Sequence, residues 1–121
     1  MSKTSIQKKA KNESSISLLT PSVVNYEHGF HFYTAVGDYT GVTAISLPDL
    51  AQKLRSIQLE SVRFHFERGD FQRWIRTRFY DSELAESLGT IKPNYSDEML
   101  RREIMDKVDS HLARLRTVTS K

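Results

Sequence analysis

Apolar residues alternate through one stretch of this chain and then recur at helical spacing through most of the rest. In Phe30-His31-Phe32-Tyr33-Thr34-Ala35-Val36 strand formers dominate. A strand there sends Phe30, Phe32 and Thr34 to one face and His31, Tyr33 and Ala35 to the other. Gly37-Asp38-Tyr39-Thr40-Gly41 predicts a turn and Val42-Thr43-Ala44-Ile45 a returning strand, which together make a hairpin. Ser46-Leu47-Pro48-Asp49 then reads as a helix start. Ser46 caps, Pro48 sits where its missing N–H costs nothing, and Asp49 faces the positive end of the helix dipole. Leu47, Leu50 and Leu54 share a face, with Ala51 beside them.

The same spacing predicts four more helices. The second covers residues 60–68, with Val62 and Phe66 one turn apart and Ser61 placed to bond His65. Gly69 suits its left-handed end, and Asp70 is expected to cap a third helix bearing Phe71, Trp74, Ile75 and Phe79. Asp81 caps a short fourth helix carrying Leu84, Ala85 and Leu88, which Gly89 stops. Asn94 or Ser96 opens a long last helix to about Arg116, with Leu100, Ile104, Val108, Leu112 and Leu115 on one side. The predicted fold is α+β, mostly α: a small N-terminal β-hairpin packed on four to five helices.

Upstream, residues 1–15 are polar and aperiodic and are expected to form a disordered basic arm, leaving 16–121 as a single globular domain. Residues 15–25 hold Ile16, Leu18, Leu19, Val23 and Val24, broken by Thr20-Pro21. They predict a short strand or an extended segment over the core, and Pro21 argues against a central strand.

Composition narrows the function classes. The 121 residues fit one domain, and 38% hydrophobic against 27% charged residues is a globular balance rather than a disordered one. With no cysteine, disulfide scaffolds, thiolate metal sites and cysteine nucleophiles are excluded. No apolar run approaches the roughly 18 residues of a membrane span, and no signal peptide opens the chain, so no membrane association and a cytoplasmic location are expected. The net charge is +3, with Lys3, Lys8, Lys9 and Lys11 at the N-terminal end, so the rest is close to neutral. That charge permits nucleic acid without favouring it.

A run through the middle of the chain resembles a known family. Tyr39-Thr40-Gly41-Val42-Thr43-Ala44-Ile45-Ser46-Leu47 leads to Glu60-Ser61-Val62-Arg63-Phe64-His65-Phe66-Glu67-Arg68-Gly69-Asp70-Phe71-Gln72-Arg73-Trp74-Ile75, and then to Asp81-Ser82-Glu83-Leu84-Ala85. This resembles DUF5752, a family of small archaeal and bacterial domains of unknown function, over about residues 30–115. The resemblance implies one compact domain and carries no activity with it.

The residues richest in chemistry are His65, Glu67, Arg68, Asp70 and Trp74, joined by Arg73 and Arg76 as binding candidates. They concentrate a titratable imidazole, carboxylates, arginines and an aromatic ring at one helix corner, the usual make-up of a small binding site. A competing structural reading has each residue only capping, packing or joining helices. Arg68-Gly69-Asp70 matches an adhesion tripeptide by chance. His28, His31, His65 and His111 show no metal-ligand spacing, so no metal and no cofactor is expected. Gly37 and Gly41 do not make a phosphate loop, and no serine sits in a nucleophile elbow. Arg63, Arg73, Arg76 and Arg78, with Arg101 and Arg102, form charged helix faces, paired with Glu83, Glu98 or Asp106 or turned to an acidic partner or nucleic acid.

The sequence therefore points to a non-enzymatic binding or interaction module for a protein partner or a small ligand. Two alternatives come from other classes. One is a DNA-binding protein with a helix-turn-helix-like segment over about 82–108, weakened by the long connection at residues 90–95. The other is a small enzyme using His65 with Glu67 or Asp70, for which no nucleophile–base pair is visible.

Overall fold

Two strands and five helices follow one another along residues 23–119, the part of the chain that a computed structural model describes. The arm at residues 1–15 and the apolar residues Ile16, Leu18 and Leu19 lie outside the described residues. Of the predicted extended segment, Val23 bridges Ser46, and the Val24 N–H donates to the Ile45 carbonyl at 2.9 Å. A short 3-10 turn, Tyr26–His28, then leads into the hairpin.

Strands β1 (Phe30–Tyr33) and β2 (Tyr39–Ala44) pair antiparallel, with Phe30 opposite Ala44, His31 opposite Thr43 and Tyr33 opposite Tyr39. The faces follow the alternation: Phe30 and Phe32 are buried, His31 and Tyr33 are not. The turn does not fall where the sequence placed it. The chain reverses at residues 34–38, where the Thr34 N–H donates to the Asp38 carbonyl at 3.1 Å, and β1 stops at Tyr33 rather than Val36. Gly41, expected in the turn, lies inside β2 at φ 88°. The register slips there, so Thr40, Gly41 and Val42 together face Phe32. A bulge needs that left-handed residue, and glycine takes it without a Cβ clash. The Thr40 hydroxyl donates to the Phe32 carbonyl at 2.8 Å, occupying an acceptor the bulge takes out of the ladder.

The helices are α1 (Leu47–Leu54), α2 (Leu59–Arg68), α3 (Asp70–Phe79), α4 (Ser82–Leu88) and α5 (Asp97–Thr119). Three of the predicted caps are made by side chains. Ser46 accepts the Asp49 N–H at 3.1 Å, Asp81 accepts the Leu84 N–H at 3.1 Å, and Ser96 accepts the Met99 N–H at 3.2 Å. Each satisfies an orphan donor of a helix's first turn. Asp70 is not a cap: Gly69 holds that position at φ 72° and Asp70 is already helical, which frees its carboxylate for other partners.

One core unites these elements. Leu100, Ile104, Val108 and Leu112 of α5 are buried and meet α1, α2 and α4, while Phe71, Trp74 and Ile75 of α3 pack toward the hairpin and α4. The Phe30 ring stacks on Phe71 at 4.8 Å between centroids and meets Trp74 edge-on at 5.5 Å, which seats the hairpin on α3. The fold is thus α+β and mostly α, a hairpin followed by five helices. No helix among the described residues is long and apolar enough to cross a membrane.

Tyr80, between α3 and α4, is left-handed at φ 54° and 86% exposed. A tyrosine there bears Cβ strain with no burial to offset it, at a cost of roughly 1–2 kcal/mol. We expect Tyr80→Gly to raise unfolding stability by about 1 kcal/mol in urea titrations; an unchanged or lower midpoint would show that the exposed ring has contacts of its own.

Candidate functional site

The helix corner singled out in the sequence is built around one carboxylate. Asp70 opens α3 directly after the Gly69 break, so it looks back at the last turn of α2. Its Oδ2 accepts from His65 Nδ1 at 2.8 Å and from Arg68 Nε at 3.1 Å, and its Oδ1 accepts from Arg73 Nη1 at 2.7 Å. Arg73 Nη2 also donates to the Arg68 carbonyl at 3.1 Å, tying α3 to the end of α2. Burial of Asp70 raises its pKa, but the bonds from His65 and Arg73 outweigh this, so the carboxyl titrates below its ordinary value.

His65 is 5% exposed and its two ring nitrogens have opposite roles. Nε2 lies 2.8 Å from the backbone N–H of Tyr33, which can only donate, so Nε2 is the acceptor. The ring proton is therefore on Nδ1 and is donated to Asp70. Burial lowers the pKa of His65 against the opposing pull of Asp70, which keeps the imidazole neutral. His65 thereby links β1 to the α2–α3 corner, with no nitrogen left over for acid–base work. The bond expected between Ser61 and His65 is not formed: the Ser61 hydroxyl is buried with no hydrogen-bond partner among the described residues. The two stronger partners have claimed the imidazole.

Beside this corner lies a groove of about 450 Å³, mostly apolar, between the hairpin and the end of α2. Phe30, His31, Tyr33, Val36 and Gly37 line it from the hairpin side; Phe64, His65, Arg68 and Asp70 line it from the helices. Val36 is 81% exposed at its edge. The Arg68 guanidinium lies over the Phe64 ring, 4.9 Å from its centroid.

The predicted site residues thus divide. His65, Arg68 and Asp70 come together on the groove, and Arg73 braces Asp70 from behind. Glu67 does not join them; it is exposed and pairs with Arg63 at 3.7 Å. Trp74 turns inward, where its Nε1–H donates to the His28 carbonyl at 2.9 Å. Arg76 is exposed on α3 away from the groove. Sequence reasoning missed Tyr33, Val36 and Phe64 as groove residues, although the strand alternation had already placed Tyr33 on the face opposite Phe30 and Phe32.

Other polar links were also out of reach. Arg63 is no free surface cation: it binds Asp97 at 2.7 Å and the Pro93 carbonyl at 2.8 Å, holding the loop before α5. Buried His111 on α5 bonds Asp81 through Nε2, anchoring the carboxylate that caps α4. Of the acids proposed for the arginine faces, Glu98 pairs with Arg101 at 2.6 Å, and Glu83 pairs with Arg114 at 3.1 Å. No group of three or more metal-ligating side chains gathers among the described residues.

No curated protein and no solved structure matches the chain. Residues 27–121 match a family of unknown function, DUF5752, and the chain belongs to that family.

Proposed function

We propose that this domain is a non-enzymatic binding module and that its docking surface is the groove between the hairpin and the end of α2. The observation that carries the reading is the open, mostly apolar concavity walled by Val36, Tyr33 and Phe64 with a charged rim. A concave apolar surface with a few convergent polar groups is the usual form of a ligand site. The enzyme alternative loses its base, because both nitrogens of His65 are engaged within the fold. It also loses Glu67, which points to Arg63.

The DNA-binding alternative is weaker on geometry. A helix-turn-helix joins its helices through roughly three or four residues. Here residues 89–96 separate α4 from α5. The exposed arginines Arg76 and Arg78, which form no ion pair among the described residues, still provide for loose phosphate contact.

Titration with indole, a neutral aromatic probe, followed by amide NMR tests the groove. Shifts are expected at residues 33–37 and around Phe64 and Arg68, and Val36→Asp should weaken them by about tenfold by placing a charge at the apolar edge. Val36 is exposed, so the substitution leaves the core alone. Shifts confined to another face, or none at millimolar indole, would overturn the assignment.

A further inference from the structure

We infer that the groove accepts a small carboxylic acid with an apolar body, its carboxylate held by Arg68. This rests on the groove being the docking surface and names the chemistry of what docks. The Arg68 side chain is 52% exposed yet held at two points: its guanidinium carbon sits over the Phe64 ring, and its Nε donates to Asp70 at 3.1 Å. Neither terminal nitrogen has a partner among the described residues. A guanidinium fixed in this way keeps two N–H groups side by side for a bidentate oxyanion, with little side-chain entropy left to lose.

Charge favours the same occupant. Asp70 supplies one negative charge to two guanidiniums, Arg68 and Arg73, while its third partner, His65, is neutral. The cluster therefore holds one uncompensated positive charge at the groove rim. Neither nearby acid lines the groove: Glu67 is turned toward Arg63, 3.7 Å away, and the hairpin acid Asp38 is not among the lining residues. One excess positive charge matches a carboxylate, whereas a phosphate monoester brings about −1.5 to −2 and would remain partly unbalanced. The rest of the groove offers Phe64, Val36 and Tyr33, surfaces that suit a ring or an alkyl chain. A cavity of about 450 Å³ is the size of a small-molecule site rather than an extended peptide track.

The test compares 3-phenylpropionate with its neutral isostere 3-phenylpropionamide and with phenyl phosphate, each titrated into the full chain by calorimetry and amide NMR. The acid is expected to bind at least about tenfold more tightly than the amide, the difference made by one charge-assisted pair. Arg68→Gln should erase that difference while amide binding persists, and Arg68→Lys should restore only part of it, because a lysine offers charge without the fork. Arg76→Gln, an exposed arginine outside the groove, should change nothing. Equal affinity for acid and amide overturns the carboxylate and leaves the groove standing. Tighter binding of phenyl phosphate overturns the choice of headgroup. A peptide ending in phenylalanine that binds more tightly than the free acid overturns the small-molecule occupant. No shifts from any probe overturn both inferences.

Discussion

Trp74→Ala is expected to cost roughly 3–5 kcal/mol of unfolding stability, the range for truncating a buried tryptophan. Trp74 is buried where three parts of the chain meet: its ring touches Phe30 of β1 and Phe79 at the end of α3, the latter edge-on at 5.0 Å, and its Nε1–H reaches the His28 carbonyl. Alanine would leave a cavity against the hairpin and strip the His28 carbonyl of its donor. For a domain of this size the melting midpoint should fall by more than about 10 °C. Trp74→Phe separates the two contributions. It keeps most of the packing and loses the hydrogen bond, so it should cost roughly 1–3 kcal/mol. Trp74 is the only tryptophan in the chain, so unfolding of both variants is best followed by circular dichroism. A Trp74→Ala protein as stable as the parent would mean that the hairpin is seated on α3 by Phe30 and Phe71 alone.

The contrast between what the sequence showed and what it hid has a physical origin. Helix faces were legible because burial follows the 3.6-residue period: Leu100, Ile104, Val108 and Leu112 fall on one stripe and all are buried. Caps at Ser46, Asp81 and Ser96 were legible because a cap is decided within three residues. Asp70 carries the same local signal and does something else. His65, Arg68 and Arg73 offer its carboxylate three charged or polar donors, more than a backbone N–H does. The Ser61–His65 pairing failed for the same reason, since a spacing of four permits a bond only when no better partner exists. Arg63 with Asp97 and His111 with Asp81 join residues some thirty positions apart, and no periodicity encodes that. The groove was half legible. The rim residues Arg68 and Asp70 stood out by chemistry, but Val36 and Phe64 became groove residues only when the hairpin reversed early and brought Val36 to the end of α2.

His65→Gln is expected to destabilise the domain by roughly 1–3 kcal/mol near pH 7.5 and to flatten its pH dependence below that. Glutamine offers one acceptor and one donor group, as neutral imidazole does, but on a flexible stem that does not hold both at the required angles. The Tyr33 N–H or one side of Asp70 would then be left short of a partner, and an unsatisfied buried polar group costs about that much. The pH argument follows from the tautomer. Protonating His65 puts an N–H on Nε2 facing the N–H of Tyr33, which destroys the bond. The folded-state pKa is accordingly lowered, mainly by burial. The unfolded chain therefore binds this proton first, and the stability that neutral His65 contributes is complete above the ordinary histidine value of about 6.5. It is lost as the pH falls from there toward the lower folded value. Asp70 acts in the same direction in a more acidic window: its lowered pKa gives stability present above about 3.9 and lost below it. Parent and variant unfolded in urea at pH 7.5, 6.5, 5.5 and 4.5 should differ most at the highest pH and converge on acidification. Subtracting the two profiles removes every titrating group except His65 and its partners. A constant difference at all four pH values would mean that His65 titrates alike in the folded and unfolded chain and that its bond to Tyr33 is not what holds the hairpin to α2. A stable variant that still binds 3-phenylpropionate as the parent does would leave ligand contact to Arg68, and His65 would be the brace that fixes Asp70, and through it Arg68, at the groove rim.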